Sequence, residues 1–307
     1  MSRQVLRISI CVLLIISAWV YLTSVDSGVL NESNFEAEDE AEVSNVFNSY
    51  PSFSPDGRQL VFSSDRSGNH ELWILDLEDR LLKPITDHDS SDSHPSWSPD
   101  GHHIAFDSNR DGNREIYTLN LQSSEVSRVT NSAGWDGTPF WSEDGSRLIF
   151  YSERTGNADL FEVRLGTGAI SPLTVTEHDE YYASRSPVDG SLVYESTFHG
   201  NRDIVVATPG DASEVFLTSN LARDHLPSWS PDGKWVVFTS RRDGNDEIYI
   251  VSRDGTGQKN ISNHESADLM PKWSPDGESI VFVSNRSGSF DLYVINRQSG
   301  MVSKLEN

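Results

Sequence analysis

The chain has 307 residues, of which 36% are hydrophobic and 10% aromatic, and its net charge is −23 with a pI near 4.6. That much apolar material builds a sizeable core and excludes a disordered chain. The charge excludes a nucleic-acid partner, because such a surface repels phosphate; it suits a basic protein partner, a cation, or plain solubility.

At the N-terminus, Arg3 and Arg7 precede an uncharged apolar run from Ile8 to Leu22, and the next charge is Asp26. Basic before and acidic after is the charge order of a segment whose C-terminal side is exported. Fifteen apolar residues are many for a signal-peptide core and few for a full span of about 20. Residues 1–24 therefore read as a signal peptide or a signal anchor. The protein is expected to be exported, periplasmic or at the cell surface, with membrane contact only through residues 8–22 if they stay attached. The single cysteine, Cys11, lies in this run, so the rest of the chain has no means of forming a disulfide or a Cys-based zinc site. Residues 25–48 carry Asp26, Glu32, Glu36, Glu38, Asp39, Glu40 and Glu42 with little to bury, and read as an acidic flexible tether.

From there to the C-terminus the sequence repeats every 44 residues. Ser-Pro-Asp-Gly starts at Ser54, Ser98, Ser230 and Ser274, with Ser-Glu-Asp-Gly at Ser142. Phe62, Phe106, Phe150, Tyr194, Phe238 and Phe282 keep the same register, as do Glu71, Glu115, Asp159, Asp203, Glu247 and Asp291. Each unit reads as four short strands. The first ends in an aromatic (Phe53, Trp97, Trp141, Trp229, Trp273) and runs into the Ser-Pro-Asp-Gly turn, where Pro presets φ and Gly accepts the last position. The second alternates, as in Leu60-Val61-Phe62. A Gly- and Asn-containing loop leads to the third, and the fourth ends near Ile85-Thr86 and its equivalents. Four strands per unit of this length predict an all-β, six-bladed β-propeller over residues 49–307, with repeats near 51–94, 95–138, 139–182, 183–226, 227–270 and 271–307.

The string Pro-Ser-Trp-Ser-Pro-Asp-Gly, then Ile-Ala-Phe, then Asn-Arg-Asp-Gly-Asn-Arg-Glu-Ile-Tyr (residues 95–117) resembles the repeat of the TolB propeller family, and the likeness covers essentially all of residues 51–307. TolB carries a separate α/β domain before its propeller; only a targeting segment and a tether precede the repeats here. The resemblance thus implies the propeller alone, and partner contacts of the missing domain do not transfer. Related propellers cap prolyl peptidases, but no Gly-x-Ser-x-Gly elbow occurs in this chain.

A further 44-residue series, Asn48, Asp92, Asp136, Glu180, Asp224 and Asp268, stands three residues before each expected inner strand. In a propeller it marks one face of the ring, called the upper face below. Two readings compete: each side chain caps the turn into its strand, or together they form an acidic mouth for a cation or a basic peptide. Arg66, Arg110, Arg154, Arg242 and Arg286 recur in the adjacent loops and are the expected neutralisers. The fourth repeat departs from the pattern: Arg185 replaces the inner-strand aromatic, Ala183 the proline, Phe198 the loop arginine and Val205 the third-strand aromatic, while Tyr181 and Tyr182 flank Glu180. Of nine histidines only His88 and His264 share a repeat position, so no metal ligand set, cofactor or catalytic residue is expected.

The sequence therefore predicts a non-catalytic, monomeric interaction scaffold. Its partner would be an envelope protein or a basic peptide segment, held at Asp92, Asp136, Glu180, Asp224, Asp268, Tyr181, Tyr182, Arg185 and Phe198. Two alternatives belong to other classes: a polysaccharide lyase or hydrolase with a metal site built across blades, and a ligand-sensing ectodomain.

Overall fold

The computed structural model describes residues 46–208 and 214–305. The targeting segment and most of the tether, residues 1–45, lie outside them. Among the described residues no helix is long and apolar enough to cross a membrane.

Six four-stranded antiparallel sheets follow one another, each made of four consecutive strands. Their inner strands are Asn48–Phe53, Asp92–Trp97, Asp136–Trp141, Glu180–Arg185, Asp224–Trp229 and Asp268–Trp273, in the 44-residue register of the sequence. The acidic series therefore does not stand three residues ahead of these strands, as expected, but supplies the first residue of each. The backbone N–H of that residue bonds the carbonyl just before the third strand of the preceding blade, as Asp92 does to His70 (2.8 Å) and Asp136 to Arg114 (3.0 Å). That bond brings these residues into the inner strand, which starts three residues earlier than expected.

Second strands are buried along almost their whole length, because blades pack face to face on both sides. Each core cluster is shared by two neighbours: Val61 and Leu72 of blade 1 meet Trp97, Ile104, Phe106 and Tyr117 of blade 2. Each such side chain contributes about 1.5–3 kcal/mol by burial. Blade 6 meets blade 1 in the same way, through Val281, Val283 and Leu292 against Leu60, Phe62 and Leu75. Asn48 N–H bonds the Phe290 carbonyl at 3.0 Å, and the Phe47 and Phe290 rings touch at 4.8 Å. Among the described residues no strand is exchanged at this seam; every sheet is built from its own repeat, and Phe47 and Phe290 form an isolated bridge across it.

The Ser-Pro-Asp-Gly turns close the opposite, lower face. Ser54 Oγ donates to Asp56 (2.6 Å), Asp56 accepts from Arg58 N–H (3.1 Å), and Gly57, at φ 72°, bonds back to the Ser54 carbonyl (2.9 Å). Only glycine holds that φ without strain.

Candidate functional site

On the upper face the series from Asp92 is buried and internally paired. Asp92, Asp136, Asp224 and Asp268 are fully buried. Each accepts from the arginine of its own second-to-third-strand loop: Arg110 at 2.7 Å, Arg154 at 2.8 Å, Arg242 at 2.9 Å and Arg286 at 2.6 Å. Arg66 makes the matching bond to Asn48 at 2.8 Å. Every one of these arginines also bonds the serine ending its second strand and lies over two aromatic rings, as Arg110 does over Phe106 and Tyr117. The carboxylates thus do not form an open ring at the channel mouth. Each belongs to a wedge that locks a loop onto its blade, and crowding them costs little because each meets a guanidinium.

Glu180 is the exception, and the sequence explains why. Phe198 occupies the arginine position, so the carboxylate keeps only Thr176 Oγ1, at 2.6 Å, as a close donor, and its other oxygen is buried without a partner. Burial pushes its carboxyl up to about 7. The series from Glu71 is likewise structural: Glu115 accepts Thr130 Oγ1 (2.6 Å) and Ser132 N–H (2.6 Å), tying the fourth strand and the next loop to the third strand.

Asparagine side chains clamp the upper loops to one another. Asn157 donates to the Thr176 and His178 carbonyls, and Asn201 to those of Asn220 and Ala222. Glu153 N–H bonds the Trp135 carbonyl, and Thr197 N–H that of Asp179. Loops 131–135, 153–157, 175–179, 197–201 and 219–223 therefore form one hydrogen-bonded belt across blades 3 to 5. Along it Trp135 (50% exposed), Val175 (71%), Phe198 (52%) and Leu221 (fully exposed) face solvent. Of the exposed acids on the upper face, Glu177 lies on this belt, while Asp87, Asp89 and Glu265 lie on the equivalent loops entering blades 2 and 6.

Below the loops the channel narrows. The third residue of every inner strand, Tyr50, His94, Thr138, Tyr182, Leu226 and Met270, has φ between 50° and 59°. A bulge shifts the register there in each blade. None is glycine, so each costs backbone strain that its surroundings must offset. Buried side chains of the second strands do so: Asp107 accepts Thr138 N–H (2.9 Å), Glu195 accepts Leu226 N–H (2.7 Å) and Thr239 accepts Met270 N–H (3.2 Å). Asp107 also lies 2.8 Å from His94 Nδ1 and 3.5 Å from Arg114, and Glu195 bonds Arg202 at 2.7 Å. Burial alone would raise the Asp107 carboxyl, but the charges of His94 and Arg114 outweigh it and hold the group below its usual range.

Tyr182 of blade 4 meets Tyr50 of blade 1 and His94 of blade 2 in this throat, at centroid distances of 6.4 and 5.8 Å. Tyr181 instead packs between Tyr151 (5.0 Å) and Arg202 (4.8 Å). Arg185 sits at the other end of the same strand, near the lower face, where it bonds the Gly190 carbonyl at 3.2 Å. The structure thus divides the irregular residues of blade 4 among three places: Phe198 on the upper surface, Tyr181 and Tyr182 at the throat, Arg185 at the lower end of the channel. They do not form one patch on the upper face, because an inner strand of six residues spans the channel length.

A family model described as the TolB beta propeller domain matches residues 18–130, 109–242 and 219–307. The chain belongs to this family. No curated protein matches it. Among solved structures it is similar to a protein assigned as TolB in Agrobacterium tumefaciens, with 24% identity and a TM-score of 0.69 over 76% of this chain and 87% of that one. It is also similar to TolB from Acinetobacter baumannii, with 21% identity and a TM-score of 0.66 over 84% of this chain and 63% of that one, so it spans less than two thirds of the Acinetobacter protein. An oligogalacturonate lyase in complex with manganese is similar too, at 18% identity and a TM-score of 0.59, over 86% of this chain and 78% of that one. These likenesses show the fold. Among the described residues of this TolB-type propeller, no group of three or more His, Cys, Asp or Glu converges as a metal site requires.

Sequence reading missed Asp107, Glu195, Arg114, Arg202 and the strained ring of the TolB-type channel. A signal for them exists. Among the positions at which the six copies disagree are Ser63, Asp107, Tyr151, Glu195, Thr239, Val283, and His70, Arg114, Ala158, Arg202, Asp246, Phe290. Charged residues that appear in some copies and not in others mark where the blades are not interchangeable.

Proposed function

We propose that this propeller is an exported, non-catalytic protein-interaction module that seats a basic or mixed-charge segment of a partner on its upper face, over blades 3 to 5. The observation that carries this reading is the belt of clamped loops presenting Trp135, Val175, Phe198 and Leu221 to solvent. Rigidly held apolar side chains in water are what a docking surface offers, since their ordering cost is met before binding. Acidic neighbours such as Glu177 and Asp179 would steer a basic segment toward them. Phe198 keeps the role expected from the sequence. For the carboxylate series from Asp92, burial and pairing favour the loop-locking role, and Tyr182 lies too deep for a first contact.

The test compares capture from an envelope extract by the full chain and by a Trp135→Ser/Phe198→Ser/Leu221→Ser variant, at low and high salt. A partner held by the parent, released by salt and lost from the variant supports the reading, with an affinity loss of roughly 1–3 kcal/mol for each anchor. Equal capture by both proteins at both salt concentrations eliminates this surface.

A further inference from the structure

The channel interior has a charge of the opposite sign to the molecule around it. Below the throat lies a cavity of about 500 Å³, running from the Tyr50–Tyr182 ring down to the Ser-Pro turns. Phe53, Trp97, Trp141, Trp229 and Trp273 line its lower part, with inner-strand prolines between them. Its strongly charged wall residues are Lys272 and Arg185, with Glu143 exposed at the lower rim. The equivalents of Lys272 in the other blades are Ser52, Ser96, Phe140, Ser184 and Ser228, so the lysine is particular to blade 6. Among the described residues no carboxylate pairs with Lys272. Its side chain is half-buried in the channel wall, and burial alone pushes the ammonium down to about 8. Arg185 donates to the Gly190 carbonyl, and among the described residues no carboxylate pairs with it.

A half-buried cation with no carboxylate beside it is costly, and a protein carrying −23 overall had many carboxylates with which to neutralise it. A lysine that only drifted into the wall would extend its ammonium along the channel into water and select nothing. The aromatic side chains that five of the six blades turn to the cavity argue for an occupant that has a matching flat body as well as a charge. We propose that the channel binds a small organic carboxylate with a flat apolar body, its anionic group on Lys272 and its body among the tryptophans. Arg185, two blades away, is the second cation of the same wall.

Titration of the full-length protein near pH 6.5 at low salt, followed by tryptophan fluorescence and calorimetry, tests this with four probes. Benzoate and its uncharged isostere benzamide report on the charge. A tripeptide ending in phenylalanine, as free acid and as amide, reports whether the carboxylate is that of a free molecule or of a chain end. Benzoate or the tripeptide acid is expected to bind saturably, at least tenfold more tightly than the matching amide. Lys272→Met, which removes the charge and keeps the volume, is expected to weaken the acid about ten- to a hundredfold without lowering the melting temperature, and Lys272→Arg to retain it. Equal affinity for acid and amide, unchanged affinity in Lys272→Met, or no saturable binding of either acid overturns the proposal. The upper-face variant above leaves this site untouched, so the two readings fail separately.

Discussion

Tyr50 of blade 1 and Tyr182 of blade 4, on opposite sides of the ring, stack across the channel with centroids 6.4 Å apart and planes within 14°. The pair is the only described tyrosine stack that bridges opposite blades, and both residues stand at left-handed φ, 52° and 50°. Packing across the throat therefore works against backbone strain at the same two residues. Tyr182→Ala is expected to lose about 2–4 kcal/mol by loss of buried ring contacts. Tyr182→Gly removes the same ring but relieves the φ penalty, so it should be at least as stable as the alanine variant and up to about 1 kcal/mol better. Urea unfolding of both variants checks this; a glycine variant clearly weaker than alanine would show the backbone there to be unstrained.

The Arg110–Asp92 wedge and its repeats make a prediction about order of substitution. Arg110→Met leaves a fully buried carboxylate uncompensated and should cost about 3–5 kcal/mol. Replacing both members, Asp92→Leu with Arg110→Met, should cost clearly less, because no charge remains buried. Denaturant midpoints of the two single variants and the double variant form the cycle that measures the coupling.

Glu180 should make stability depend on pH in a direction opposite to most carboxylates. Its folded value, about 7, lies above the ordinary 4.5. Between these values the folded state holds the proton and the unfolded state does not, so this contribution is full below about pH 4.5 and is lost as pH rises through 7. The loss is on the order of 1–3 kcal/mol. Glu180→Gln should flatten the melting temperature between pH 5 and 8 and raise it at the upper end. Phe198→Arg, which restores the arginine of the other blades, should do the same by charge pairing. A parent protein whose melting temperature climbs from pH 5 to 8 with no change in Glu180→Gln contradicts the assignment.

Seam closure rests on blade packing and on the contact of Phe47 with Phe290. Phe47→Ala should destabilise the ring by about 1–3 kcal/mol while leaving unfolding a single cooperative transition. Biphasic melting would indicate that blade 1 detaches independently.

By itself the sequence determined the repeat, and with it the blade count, the strand order and the lower-face turns. Each follows from local chemistry: a 44-residue register, proline and glycine at turn positions, and aromatics at a fixed place in each strand. It also displayed the matched arginine and carboxylate series, since a charge kept in every copy needs a partner kept in every copy. It did not determine which atoms face water. Asp92 and its equivalents look like surface acids in the chain and are buried in the ring, because neighbouring blades close over the start of each inner strand. The bulges carry no glycine to announce them; they exist because second-strand side chains such as Asp107 and Glu195 reach residues 31 positions downstream in the next blade. Only the closed ring brings Tyr50 to Tyr182, sets Lys272 apart from every carboxylate among the described residues and leaves Trp135, Phe198 and Leu221 exposed. Those relationships depend on contacts between repeats, and a periodic sequence specifies the unit far more strongly than the differences between units.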